Sequence, residues 1–596
     1  MVPNGTETVD LTRQPSQPSA RCYPYRRLWS KPARRLVGAL GGVAVALAGW
    51  AGTPAGAVQN PVIQVGIVQR FGENPQDTLT LEALPGEQLT LSFDTEGQPQ
   101  TVTTSQVSLG LIPDPLPEAE LSERVVLSNH RSFESAEDSA QQWRQRGIQP
   151  EIAQPSSWEV WASREVYNSP LVRRLLVKNL KDQGFTEVHL DSRVLSQVPK
   201  AFFEANGYRY QRDQVDLRST SGRIRVVQAS SDPPVTRVYG GTLRLQPNTY
   251  GTYTLVNDVP IETYLRGVVP HEIGPGAPVP AIQAQAVLAR TYALRNLRRF
   301  AIDDYQLCAD TQCQVYRGLS GTVPVADQAI QATAGQVLIY QNELVDALYS
   351  STTGGVTAAF SDVWNGPDRP YLRAVVDSVN GVWDLAQHPL DSEPNLRAFL
   401  AIDQGFNEDT WQLFRWRYDS PLTEITQDLK GYLGRRQHPL AGFNQVLNLR
   451  VAERASSGRV QTIEVETDLG LVKLEKDEIV RVLSAPRSLL FYVDPIYQAA
   501  TPEPKADAPG GSSPSSAPPT TSPSPPTLTG YRFVGGGWGH GVGLSQTGAY
   551  NLGNLGWGYP RILEFYYPGT TLQPISEALT FWRDPLPPTA EAVPQG

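Results

Sequence analysis

Polar and apolar residues alternate along Thr78-Leu79-Thr80-Leu81 and along Leu89-Thr90-Leu91-Ser92-Phe93, the period of half-buried strands. Residues 58–120, punctuated by Pro and Gly, therefore read as a β-rich N-terminal region. The pattern changes over residues 123–195. Val125-Val126-Leu127, Trp158 to Ala162 and Glu187 to Leu190 are strand-like. Ser135 can cap a helix running to Arg146, with Gly147 just past its end. Ser169-Pro170 opens a second helix that stops before Gly184. This β-α-β-α-β order predicts a small two-layer α/β unit. Residues 200–498 form the largest unit. Residues 499–529, rich in Pro, Ser, Thr and Ala, have too little apolar content to bury a core and read as a linker. Residues 530–573 are rich in Gly and aromatics, and a Pro-rich tail occupies 574–596. The predicted class is α+β and multidomain.

Composition changes this picture mainly at the N-terminus. Arg26, Arg27, Lys31, Arg34 and Arg35 precede an uncharged apolar run from Leu36 to Trp50, and Ala55-Gly56-Ala57 follows. That is the layout of a secretion signal over residues 1–57. The run is shorter than the ~20 residues of a spanning helix, so a cleaved signal is favoured over an uncleaved anchor. The expected location is exported: periplasm or cell wall. The chain carries a net charge of −9; removing residues 1–57, which hold +5, would leave −14. An acidic mature chain argues against a nucleic-acid partner. Of three cysteines, Cys22 would leave with the signal, and Cys308 and Cys313 would remain as a pair in an oxidising compartment.

Candidate chemistry is concentrated in four blocks. The first runs from Val256 through Pro260-Ile261-Glu262, Tyr264-Leu265-Arg266-Gly267 and Pro270-His271-Glu272, then through Gly274-Pro275-Gly276 into the helix PAIQAQAVLARTYALRNL starting at Pro280. An extended run is expected to deliver Glu272 to its end, with a tight loop and a helix N-terminus beside it. Ile282, Ala286, Ala289 and Ala293 share one face of that helix. By itself, one Glu before a loop is more often a solvated or capping residue than a catalytic one. The second block is Cys308 to Tyr316. The third is Ala347-Leu348-Tyr349-Ser350-Ser351-Thr352-Thr353-Gly354-Gly355, followed by Trp364 and Pro370-Tyr371-Leu372. The fourth is Gly535 to Tyr550, containing Trp538, His540 and Gln546, and closing at Tyr566-Tyr567-Pro568-Gly569-Thr570. Its glycines lack the spacing and the Lys-Ser/Thr of a phosphate loop.

Together these blocks resemble the stage II sporulation protein D / LytB family. The first block matches its "VN-x-x-P-x-E-x-YL-x-GV-x-P-x-E" run and the "AQAV-x-AR-T-YA" helix; the fourth matches its "GWGHGVG-x-SQ-x-GA" signature. The family-like part spans about Tyr239 to Thr571 and is interrupted by the linker. The resemblance implies that Glu272 is a catalytic acid. It offers Arg290, Tyr292, Gln314, Tyr316, Ser350, Ser351, Gly354, Trp538, His540 and Gln546 for substrate contact. The duller readings are a turn satisfying its own backbone at 350–355, a core histidine at His540 and core packing at Trp538. Some family members bind zinc with two cysteines and nearby histidines. Here Gln312 stands where one of those histidines would be, so a disulfide between Cys308 and Cys313 is preferred to zinc, and no cofactor is expected. Residues 123–195 resemble, in pattern only, the SPOR domain, which binds glycan strands stripped of peptides; an inserted packing unit is the alternative.

Family resemblance implies a peptidoglycan lytic transglycosylase cutting MurNAc–GlcNAc bonds to give 1,6-anhydro ends, with Asp310 the nearest candidate helper. Its partners would be peptidoglycan glycan strands. The second reading, from the LytB side, is a wall-binding enhancer of an N-acetylmuramoyl-L-alanine amidase, without cutting. A purely architectural wall-binding role is the third.

Overall fold

The computed structural model describes residues 60–74, 76–229, 233–436, 438–498 and 526–583. The signal segment 1–57, most of the linker and the end of the Pro-rich tail lie outside the described residues. The described chain is α+β, with several separate sheets and eleven α-helices among the described residues.

The N-terminal β-rich region does not pair only within itself. Strand Val62–Phe71 pairs antiparallel with Tyr253–Pro260, placing Val65 opposite Asn257, and Leu89–Thr95 pairs with Val215–Ser219. Residues 60–112 and 200–260 therefore build two sheets in common, because each region leaves strand edges that the other covers. Ile63, Val65, Leu81, Leu91, Leu217, Leu243 and Leu255 pack in one apolar core that continues into the largest unit.

The small α/β unit is an excursion from this framework. One long strand, Gln106–His130, leaves the shared sheets, and another, His189–Ala205, returns beside it. Between them the unit adds helix Phe133–Gln145, strands Pro150–Ala153 and Trp158–Ala162, and helix Pro170–Asp182. The order is β-α-β-β-α-β, a split βαβ arrangement. The short strand Pro150–Ala153, whose Pro-Glu start hides the pattern, was not legible as a strand. The first helix is capped by Ser132, whose hydroxyl accepts from the Ser135 N–H, and not by Ser135 itself. The second is capped by Ser169 with Pro170 in its first turn, as expected. Phe133, Trp158, Phe300 and Tyr305 form an aromatic stack, with centroids 4.8–5.3 Å apart, that fuses the unit to the segment leading into Cys308.

The linker joins two neighbours. Strand Phe491–Gln498 before it and strand Thr527–Gly536 after it pair antiparallel, with Gln498 opposite Thr527. The linker thus closes a hairpin, and the C-terminal block returns to the core without any long reach. That block then runs beside the third: Tyr349–Ser350 pairs with Leu544–Ser545.

Candidate active site

Glu272 does not end an extended run. The strand stops at Pro260, and two short helices, Ile261–Arg266 and Val269–Glu272, carry the chain onward. Pro260 caps the first and Pro270 lies in the first turn of the second, where its missing N–H costs nothing. Gly274, at φ +80°, turns the chain towards helix Val279–Arg295. That helix is buried almost all round, including Ala281, Gln285, Ala286, Ala289, Arg290 and Ala293. It is a core helix, not one with a single apolar face.

Glu272 keeps a little exposure, but protein crowds its carboxyl. Oε1 accepts the Val315 N–H at 2.7 Å, and the Tyr349 hydroxyl also bonds the carboxylate. Burial raises its pKa to about 7; the two hydrogen bonds oppose this only in part. Tyr349 is in turn held by the Gln314 side-chain amide at 3.0 Å, and Gln314 accepts from the Tyr264 hydroxyl at 3.1 Å. A relay of neutral groups, Tyr264 to Gln314 to Tyr349, therefore aims one hydroxyl at the acid.

The four sequence blocks meet here. Gln546 donates to the Glu272 carbonyl at 3.1 Å and to Gln285 at 3.3 Å, tying the C-terminal block to the first one. His540 Nδ1 accepts the Val542 N–H at 3.0 Å, and the ring donates to the Tyr349 carbonyl. Burial lowers the His540 pKa to about 4, so the ring is neutral and holds Tyr349 in place. Trp538, by contrast, is 42% exposed and open to a ligand.

Residues 249–340 match the family described as Stage II sporulation protein, and residues 358–543 match a domain of unknown function, DUF8618. The amidase enhancer of Bacillus subtilis is 25% identical over 423 residues, 64% of this chain and 52% of that protein. Stage II sporulation protein D of the same organism is 30% identical over 162 residues, 24% of this chain and 46% of that protein. Over these stretches the chain is similar to the Bacillus amidase enhancer and to stage II sporulation protein D. An uncharacterized protein of Brachyspira hyodysenteriae is 25% identical over 342 residues, 56% of this chain and 72% of that protein. The chain spans about half the length of the Bacillus amidase enhancer and of sporulation protein D.

The residues offered for substrate contact separate into distinct roles. Arg290 is fully buried and makes two 2.7 Å hydrogen bonds to Glu262, with a third at 3.0 Å to the Gln336 carbonyl. It holds the core together and faces no cleft. Tyr316 is also fully buried, its hydroxyl on Asn257 at 2.8 Å. Gln314 and the buried Tyr292, which lies in electrostatic reach of Glu272, act behind the acid. Ser350 is buried with a hydroxyl lacking a partner, and Ser351 gives its carbonyl to Thr547. Gly354 is required by packing: at φ +76°, a Cβ there would stand 2.5 Å from the Gly536 backbone. Asp310 turns its carboxylate onto the Gln312 N–H of its own loop and is no helper to Glu272. Three contributors stand inside the quoted blocks but were not offered as site residues: the Val315 N–H, Tyr349 and Tyr264. A backbone donor and buried tyrosines carry no residue-type signal of chemistry.

Cys308 and Cys313 are joined as a disulfide. Sulfurs so joined are not zinc thiolates, and no group of three or more His, Cys, Asp or Glu suited to a metal occurs among the described residues. The paired sulfurs do not fit the two-cysteine zinc site considered for this loop. The bridge instead closes the loop just before Gln314 and Val315, the two residues that hold Glu272 and Tyr349. Replacing both cysteines by serine is expected to cost about 2 kcal/mol from loop closure. It should also slow whatever reaction Glu272 supports. Thermal unfolding with and without reductant checks the first part, and activity of the double variant the second.

Proposed function

We propose that the protein is a peptidoglycan lytic transglycosylase with Glu272 as its acid. The observation that carries this reading is a carboxyl crowded by protein, raised to about 7 by that burial, and held by one N–H and one tyrosine hydroxyl. A general acid works best with a pKa near the working pH. Protonated Glu272 would give its proton to the leaving glycosidic oxygen through an oxocarbenium-like transition state. The ionised carboxylate would then accept the proton of the MurNAc 6-hydroxyl as that oxygen attacks its own C1. The product is a 1,6-anhydro end. One carboxyl serves both steps because no water needs a second base. Exposed Trp538 offers a face for a sugar ring. The small α/β unit, resembling the SPOR domain, supports peptide-stripped strands as the substrate form. Export follows from the predicted signal. No helix among the described residues is long and apolar enough to cross a membrane.

The similarity to a protein named amidase enhancer favours a second reading, a wall-binding protein that stimulates an N-acetylmuramoyl-L-alanine amidase. Product chemistry separates the two. Intact and peptide-stripped glycan strands incubated with residues 58–596 and analysed by mass spectrometry should yield anhydro-MurNAc ends. Strand binding without cleavage, with peptide release only when an amidase is added, would leave the enhancer.

The pH profile gives a second check. The acid must be protonated, so kcat/KM is expected to fall tenfold per pH unit above about 7. His540, neutral above about 4, should add no limb in the neutral range. A profile flat from pH 6 to 9 would exclude Glu272 as the acid.

A further inference from the structure

A pair of carboxyls lies behind the 350–355 turn, and neither has any solvent exposure: Asp377 and Glu408. Glu408 accepts three donors from the turn, the Thr353 N–H at 2.6 Å, the Thr353 hydroxyl at 2.9 Å and the Gly355 N–H at 2.8 Å. With three donors aimed at it, the Glu408 carboxyl acts as an acceptor towards the turn. Asp377 accepts from Asn407 at 2.8 Å and from the Tyr566 hydroxyl at 2.9 Å, both on Oδ1. Its Oδ2 receives no donor, and the Asp377 carboxyl is hydrogen-bonded to Glu408. Two touching carboxyls shut away from water cannot both be charged.

The pair also joins elements far apart in the chain. Thr353 and Gly355 belong to the third block; Asp377, Asn407 and Glu408 lie in the region matching DUF8618; Tyr566 belongs to the C-terminal block. Gly548 of that block presses on the pair, where a Cβ would stand 2.5 Å from Asp377 Oδ2. The charged and titratable groups that face it are the Arg415 and Arg459 guanidiniums near Glu408 and the Tyr566 phenol on Asp377. Arg459 also donates to the Thr353 carbonyl at 2.8 Å, and Arg415 to the Gly354 carbonyl at 2.9 Å.

We propose that a single proton, carried on Asp377 and shared with the Glu408 carboxylate, positions the 350–355 turn, and with it Tyr349, beside Glu272. Both are positioning residues. Loss of that proton as pH rises would set two charges against each other and release the turn. The activity part of this proposal rests on the reading of Glu272 as an acid; the stability part does not.

The test compares wild type, Asp377→Asn and Glu408→Gln as full-length exported protein, by thermal unfolding from pH 5 to 10 and by turnover of peptide-stripped strands. An acid that keeps its proton only when folded makes stability fall as pH rises from the ordinary aspartate range towards its folded pKa. Asn mimics the protonated acid, so Asp377→Asn should flatten part of that fall in Tm. Gln at 408 turns an amide onto N–H donors, so Glu408→Gln should lower Tm at every pH. It should also reduce kcat on the order of tenfold, with KM little changed. The proposal is overturned if Asp377→Asn is as damaging as Glu408→Gln, fails to fold, or keeps the wild-type pH slope of Tm. If no protein cleaves strands, the transglycosylase reading fails, while the Tm comparison still decides the pair.

Discussion

Glu272→Gln is expected to lower anhydro-end formation by about 10²–10⁴-fold while leaving strand binding in place. Gln fills the same space and can keep the Val315 N–H and Tyr349 contacts on its carbonyl oxygen, but it has no proton to give. The same variant should be more stable than wild type above neutral pH. Burial raises the Glu272 pKa from 4.5 to about 7, so the folded state holds a proton that the unfolded state has lost. Stability from this group is full below pH 4.5 and is lost as pH rises to about 7. The loss is up to about 3 kcal/mol at pH 8. Gln does not titrate and escapes it. An inactive variant that melts higher at pH 8, with the gap closing by pH 4, is the pattern of a group retained for chemistry at the expense of the fold. An inactive variant that melts lower throughout would mean Glu272 serves the structure, and the enzyme reading would lose its main support.

Arg290→Ala should do the opposite: large damage to the fold and none specific to ligand binding. Arg290 has no exposure, and its guanidinium is fully engaged by Glu262 and the Gln336 carbonyl. Glu262 in turn accepts the Gly335 N–H at 3.0 Å. Removing the cation leaves a partly buried carboxylate unpaired and a cavity in the central helix. Breaking a buried pair in this way costs about 3–5 kcal/mol. Thermal or denaturant unfolding reads the loss. At a temperature where the variant is still folded, its affinity for peptide-stripped strands should equal wild type. A selective loss of affinity with normal stability would return Arg290 to the cleft.

The contrast between these residues shows how far sequence reading reaches. Glu272 and Arg290 stand in equally specific stretches, and a motif does not say which of its members faces solvent. Specificity of a motif measures constraint, and burial constrains as strongly as chemistry. Gln314 and His540 illustrate the same point. Both sit at the site, yet their polar atoms are spent on Tyr264 and Tyr349 and on Val542 and Tyr349. Of the residues offered for substrate contact, Trp538 is the most open.

The sequence by itself determined the α+β class, both helices of the small α/β unit, the four blocks and the proteins they resemble. These rest on local signals: alternation with period two, Ser and Pro at helix starts, Gly just past helix ends, and residue runs long enough to be specific. Only the tertiary structure decided that the N-terminal strands pair with residues 200–260, and that the linker closes a hairpin. It alone put Glu272 on a short helix beneath the Val315 N–H, and Asp377 against Glu408. The physical reason is common to all of these. Strand partners, buried hydrogen bonds and shifted proton affinities are made between residues tens to hundreds of positions apart, and their energies depend on exclusion of water, which no local pattern records.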